Sequence, residues 1–174
     1  MLIARLDGQE LPDPLFHKIR SDSEHAEEKF AKLLAERWPE LIKPPTQKFK
    51  KGKPQTLTIT INRSPCGPSG HDCGKTLATL ANTFFASKKP DYNVTVAVES
   101  LSFYGRTDAE VLASRQSLQT MLKAGVKLIP VTIADLKERK LLESELGEDV
   151  EKELQRRLDV MKTELENAQN GIKK

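Results

Sequence analysis

The sequence predicts an α/β protein whose mixed, five-stranded sheet lies between helices in a three-layer α/β/α arrangement. Its 174 residues suit one domain with one hydrophobic core. Strand-like and helix-like segments alternate along most of the chain, which is the pattern of α/β folds. A strand–helix–strand crossover near the C-terminal end also predicts that the last two strands are parallel.

The strands are expected at four apolar segments and one return strand. Residues 2–6 precede Asp7-Gly8, a tight-turn pair that predicts an N-terminal hairpin. Residues 56–61 alternate strictly and are rich in β-branched side chains, which makes them the clearest strand. Two further strands are expected over 94–98 and 126–133.

Helices are expected between these strands. The residues 21–23 offer N-cap candidates for a first helix that should end near Pro39. A second helix should follow the break at residues 65–70, and a third should occupy 108–124, with Gly125 as its C-cap.

The C-terminal segment from Asp135 onward is predicted to be helical and highly charged. We interpret the chain as a single domain, 1–174, with a core over about 20–136 and charged helices over about 135–170. One apolar stripe of this segment should pack or bind a partner away from the active site. It comprises Val150, Leu154, Leu158, Met161 and Leu165.

Composition indicates a soluble globular protein. Hydrophobic residues make up 37% and charged residues 30% of the chain, and no apolar run approaches the ~20 residues that span a bilayer. The first residues lack the features of a signal peptide, so export would depend on another carrier. The net charge of +3 is not evidence for nucleic-acid binding. A basic run over 43–53 could meet phosphates or form a solvated loop.

Four side chains suggest a metal centre. His25 and Glu27 open the first long helix, Cys66 ends the clearest strand, and Cys73 begins the next helix. One imidazole and two thiolates form a suitable Zn²⁺ set that leaves a fourth position for water. A carboxylate beside the metal, such as that of Glu27, can move protons without being a ligand. A single histidine at a helix start is commonly a cap, and two nearby cysteines are commonly structural. Metal binding is favoured because both features occur together, each at the expected end of its helix or strand.

These residues follow the His-x-Glu, Pro-Cys, Cys order of zinc nucleobase deaminases. The chain therefore resembles the AID/APOBEC-like cytidine deaminases, in particular their bacterial toxin relatives, over about 25–136. The Ser64-Pro65-Cys66 triplet matches that group, and residues 115–128 are similar to its helix, Ala-Gly-Val turn and parallel last strand. The chain departs from the family pattern in its six residues between Cys66 and Cys73 and in Arg63. His71 could be a ligand in place of Cys73, but we favour Cys73.

The resemblance implies a cytidine-deaminase-like fold and a zinc-dependent hydrolysis of cytosine to uracil in nucleic acid. In this interpretation His25, Cys66 and Cys73 bind Zn²⁺ and Glu27 is catalytic. Single-stranded DNA is the favoured partner, with double-stranded DNA, RNA or a free nucleoside as alternatives. A non-enzymatic zinc or interaction module is a further alternative.

The resemblance also implies a biological setting. The expected protein is a monomer without membrane association. It would be a secreted or delivered toxin that acts in the target-cell cytoplasm and is countered by an immunity protein, or else a cytoplasmic protein.

Substrate contacts are expected from polar, basic and aromatic side chains near the metal. The loop 103–108 stands where the family carries its aromatic specificity loop. Aromatic rings would stack on bases and arginines would meet phosphates, although Phe103 could instead lie in the core and Arg63 in a surface salt bridge. The expected contact residues are Phe16, His17, Asn62, Arg63, Ser64, Phe103, Tyr104 and Arg106.

Overall fold

A computed structural model describes residues 1–11, 19–20, 24–45, 47–66, 71–103, 105, 107–139 and 147–172. In these ranges no helix has both the length and the apolar character that crossing a membrane requires. The strands are β1 (Leu2–Leu6), β2 (Gln9–Glu10), β3 (Gln55–Ile61), β4 (Val94–Ser100) and β5 (Lys127–Ile129). The helices are α1 (Ala26–Leu41), α2 (Cys73–Thr79), α3 (Asp108–Lys123), α4 (Ile133–Glu138) and α5 (Glu148–Ile172), and a π-helical segment (Leu80–Lys88) continues α2.

The five strands form one mixed sheet in the order β2-β1-β3-β4-β5. Strand β1 is antiparallel to both β2 and β3, whereas the pairs β3–β4 and β4–β5 are parallel. The predicted α/β class, N-terminal hairpin and parallel last two strands are therefore confirmed. Because β3 and β4 are parallel and Ile61 pairs with Ser100, the segments after both strands emerge at the same edge of the sheet.

The main core joins one face of the sheet to helices. Alternate residues of β3 and β4 face α1, α2 and α3, as period-2 strands require. This cluster includes Phe30, Leu34, Leu57, Ile59, Leu77, Val96, Val98, Leu118 and Met121. The helices are thereby fixed on the sheet beside the edge where β3 and β4 end.

The opposite face of β4 carries a buried carboxylate. Glu99 is 1% exposed and accepts a hydrogen bond from Thr60 Oγ1 at 2.8 Å. Arg139 Nη1 donates to both Glu99 carboxylate oxygens at 2.6 Å. A buried charge needs such partners, so this ion pair attaches the end of α4 to the sheet.

Helix α5 packs mainly through part of its apolar stripe. Leu158, Met161 and Leu165 are buried, as expected for a packing face, whereas Val150 is 58% exposed and does not pack. The Arg115 guanidinium also donates to both oxygens of Glu164, at 2.6 and 2.7 Å. Helix α5 is therefore fastened to α3 through its middle and C-terminal turns.

The predicted start of α1 is wrong, and its end lies two residues beyond Pro39. The N-cap is His25, whose extended backbone (φ −71°, ψ 148°) precedes Ala26, so the cap does not lie within 21–23. Glu28 accepts a hydrogen bond from the His25 backbone N–H at 3.2 Å, which closes this end of the helix. The helix also passes Pro39 and ends at Leu41, because burial of Trp38 and Leu41 in the core offsets the one hydrogen bond that proline removes.

The last strand is shorter than predicted. Strand β5 covers only Lys127–Ile129, and the next residue, Pro130, has no N–H for the ladder. Thr132 then caps α4, since its Oγ1 accepts a hydrogen bond from the Asp135 N–H at 3.1 Å. Val131 therefore precedes the cap and Ile133 begins α4, so neither residue belongs to the sheet.

Candidate metal centre

Three elements bring His25, Cys66 and Cys73 together. His25 caps α1, Cys66 follows β3, and Cys73 is the first residue of α2. His25 Nδ1 lies 3.1 Å from Cys73 Sγ and 3.4 Å from Cys66 Sγ, and the two sulfurs are 3.2 Å apart. All three ligand atoms lie within 4.8 Å of one another, so this group can hold a metal ion.

The two cysteines form no disulfide and are hydrogen-bonded to each other. Their sulfur–sulfur distance of 3.2 Å is well beyond the ~2.05 Å of a disulfide bond. The hydrogen bond with Cys73 lowers the pKa of Cys66 to about 6. The same hydrogen bond, and then burial, raises the pKa of Cys73. Near neutral pH the pair therefore combines a thiolate with a thiol, and metal binding would release the remaining proton.

Glu27 lies beside this group without belonging to it. Its side chain belongs to the first turn of α1, and the residue is only 8% exposed. Glu27, His25 and Cys66 line one cavity of about 430 Å³, together with Asn62 and Arg63. Glu27 therefore borders the same space as two of the candidate ligands.

Close packing of α2 against α3 fixes the cysteine segment. Ser117 Oγ donates a hydrogen bond to the Cys66 carbonyl oxygen at 3.1 Å. A Cβ atom at Gly74 would lie 1.8 Å from Ser117 Oγ, so only glycine permits this approach. In the sequence, the glycine at position 74 is compatible with a close helix–helix contact, but its partner Ser117 on α3 could not be identified without the fold.

His71 lies next to the candidate ligand group and stacks on His25. His71 Nδ1 lies 3.0 Å from Glu28 Oε2, and its ring stacks on the His25 ring with centroids 4.1 Å apart and an 18° angle between planes. Within the described part of the chain, the metal-capable group contains Cys73 and not His71. The spacing of Glu28 three residues after His25 is a capping-box signal that the sequence interpretation missed.

The structure divides the expected substrate residues into three groups. Asn62, Arg63 and Ser64 line the cavity of the metal-capable group. Half-buried Phe103 packs against the core and lines a second cavity, which also reaches Arg63. The remaining expected contacts lie outside the described residues: Phe16, His17, Tyr104 and Arg106.

Comparison of the chain with models of protein families gives no match, and comparison with curated proteins gives none either. Two thiols, one imidazole and an adjacent carboxylate are suited to binding a borderline-soft metal ion and moving a proton next to it.

Proposed function

We propose that this protein is a zinc-dependent hydrolytic deaminase that converts cytosine to uracil in nucleic acid, with single-stranded DNA as the favoured substrate. The proposal is supported mainly by one observation. The side chains of His25, Cys66 and Cys73 lie close together, next to the buried residue Glu27. The sequence resemblance to AID/APOBEC-like deaminases gives the same assignment of roles.

The donor set fits zinc. Catalytic zinc sites commonly use three protein ligands and keep one position open, and two thiolates with one imidazole are a known combination. Tetrahedral Zn–S bonds of about 2.3 Å require sulfurs about 3.8 Å apart, and the observed 3.2 Å differs from this by a small side-chain rotation. When bound, zinc would supply Lewis acidity that lowers the pKa of a water molecule at its open position to about 7.

Glu27 is the proton carrier in this proposal. Its carboxylate accepts a proton from the attacking water as a C–O bond forms at C4 of the cytosine ring. The C4–N3 π bond opens and N3 takes that proton from Glu27. Glu27 then transfers the proton of the new C4 hydroxyl to the exocyclic amino group, the C–N bond breaks as the C4 carbonyl forms, and ammonia leaves. Water and cytosine are thereby converted to uracil and ammonia without any redox partner.

The surroundings of the site suit a base that has left its stack. The cavity of about 430 Å³ has apolar wall residues, Met1 and Ile61, as well as polar Asn62 and Ser64. Arg63 at its side is exposed and can meet a phosphate of the substrate backbone. A single strand needs the least energy to present an unstacked base, which favours it over a duplex.

Substitution of Glu27 tests the proposal. Glu27→Ala should retain one zinc per chain by elemental analysis while kcat/KM for cytosine deamination falls by a factor of about 10²–10⁴ or more, because general acid–base catalysis is lost. Glu36→Gln removes an exposed carboxylate from the same helix and should change neither quantity. Products from single-stranded and double-stranded DNA, RNA and free deoxycytidine would be identified by sequencing or chromatography.

The outcomes separate the alternatives. If a duplex, an RNA or a free nucleoside is deaminated fastest, the proposed chemistry stands and that molecule replaces single-stranded DNA as the substrate. Zinc binding by the parent protein without deamination of any substrate would identify a non-enzymatic zinc module. A parent protein that binds no zinc would refute the proposal at its first step.

A further inference from the structure

A second cavity, of about 520 Å³, lies beside the cavity of the metal-capable group. It is bounded on one side by Ser102 and Phe103, which follow β4, and on the other by Arg156 and Arg157 of α5. Nothing in the proposed chemistry uses the α5 residues. Its volume is in the range of small-molecule binding sites, about 300–1,000 Å³.

The two cavities meet at the segment that follows β3. Arg63 lines both of them. Two hydrogen bonds of 2.7 Å hold this segment to Ser102: its side chain donates to the Asn62 carbonyl, and its carbonyl accepts from the Ser64 N–H. A single-stranded nucleic acid with one base in the first cavity would therefore pass the guanidinium of Arg63 on its way to the second cavity.

The chemistry of the second cavity suits a nucleotide. Arg63, Arg156 and Arg157 supply three positive charges, against two negative charges from Glu110 and Glu153. Guanidinium groups bind phosphates through paired N–H donors, and half-buried Phe103 offers a ring on which a base can stack. The combination of arginines with an aromatic ring is typical of sites that bind single-stranded nucleic acid.

Glu153 forms ion pairs with both arginines of α5. Its carboxylate accepts hydrogen bonds from Arg156 at 2.8 and 3.0 Å and from Arg157 at 2.8 Å. All three side chains are substantially exposed, so these ion pairs are weak and a phosphate can replace the carboxylate. Helix α5 itself is held in position by its buried stripe and by the Arg115–Glu164 pair.

We propose that Arg156 and Arg157 of α5 bind phosphates of the nucleotide that flanks the target cytosine, where the substrate strand crosses this second cavity. The inference rests on the proposed function, which it extends by naming a site for the neighbouring part of the substrate. It also gives α5 a role in substrate binding in addition to its role in packing.

Binding of a labelled single-stranded DNA oligonucleotide, followed by fluorescence anisotropy over a range of salt concentrations, tests this site. The double variant Arg156→Gln/Arg157→Gln should bind about tenfold or more weakly, and the slope of log K against log[salt] should become less steep by about 1–2. Lys152→Gln/Lys162→Gln removes two charges from exposed positions of the same helix outside the cavity, and should have a much smaller effect.

Glu153→Gln is the second arm of the test. It frees both arginines and removes a negative charge from the cavity, so the oligonucleotide should bind several-fold more tightly. Zinc content and unfolding midpoint should match the parent in every variant. Unchanged affinity and salt slope in the arginine double variant, or weaker binding after Glu153→Gln, would overturn the inference, and the cavity would then be a candidate surface for an acidic protein.

Binding and deamination by the parent protein show whether the inference or the proposed function has failed. If the parent deaminates cytosine and the arginine variant binds as well as the lysine variant, only the second cavity is misassigned. If the parent binds the oligonucleotide through the arginines but produces no uracil, the proposed chemistry fails and the binding site stands. A parent that neither binds nor deaminates would overturn both.

Discussion

At the scale of single residues, the orientation of His25 depends on two neighbours that are not ligands. Glu28 accepts the His25 backbone N–H, and the same carboxylate oxygen contacts His71 Nδ1. The His71 ring then covers the His25 ring at a centroid distance of 4.1 Å. One carboxylate thus fixes both the backbone and the ring plane of His25, and outer residues of this kind typically change metal affinity by about 10–100-fold.

His71→Ala should therefore weaken zinc binding by about tenfold without abolishing it, because the three ligand atoms remain. Competition with a chromophoric chelator measures the affinity. Lys75→Ala, an exposed substitution on α2, is the control and should bind zinc like the parent. An unchanged affinity in His71→Ala would show that ring stacking does not position His25, and complete loss of zinc would make His71 a ligand.

At the scale of elements, α5 has two different sides. Its stripe of Leu158, Met161 and Leu165 is buried, whereas Arg156 and Arg157 are exposed at the second cavity. Residues three or four apart share a helix face, so a packing stripe and a polar face coexist along one helix. The apolar stripe was expected to pack away from the active site, and our proposal assigns substrate binding to a different, polar face of the same helix.

The packing role of α5 can be tested with two apolar residues of unequal burial. Met161→Ala removes a side chain that is 2% exposed and should lower the free energy of unfolding by about 2–4 kcal/mol. Val150→Ala, at a residue 58% exposed in the first turn, should stay within about 0.5 kcal/mol of the parent. Denaturant unfolding of the full chain measures both, and equal effects would contradict the packing described for α5.

At the scale of the whole molecule, local patterns predicted the fold well. The alternation of residues 56–61 identified β3, and the crossover through α3 identified a parallel pair, because both depend on nearby residues. The start of α1 was misjudged, since it depends on the hydrogen bond between Glu28 and the His25 backbone. The extent of the domain, 1–174, stays a prediction.

The candidate site was predictable only in part. Residue types and their order in the sequence identified His25, Cys66, Cys73 and Glu27, and these residues lie together in the structure. The second cavity was not predictable, because Phe103 and Arg156 are separated by more than fifty positions and meet only when α5 packs on α3. A site built by tertiary packing leaves no periodic signal in the sequence.

The metal should also connect the parts of the fold. Its candidate ligands come from α1, from the segment after β3 and from α2, so a bound ion would restrain three elements at once. A ligand at 100 times its Kd stabilises the folded state by about 2.7 kcal/mol, and each kcal/mol raises Tm by about 2–4 °C in a protein of this size. Removing zinc with a chelator should therefore lower Tm by about 5–10 °C.

Differential scanning calorimetry with and without chelator measures this shift. Glu27→Ala should show the same chelator-dependent drop as the parent, because Glu27 is not a ligand. Cys66→Ser should show a much smaller drop, because one thiolate has been replaced by a hydroxyl that zinc binds poorly. A parent Tm that does not respond to the chelator, although zinc is lost, would mean that the metal contributes chemistry to a scaffold that holds its ligands together without it.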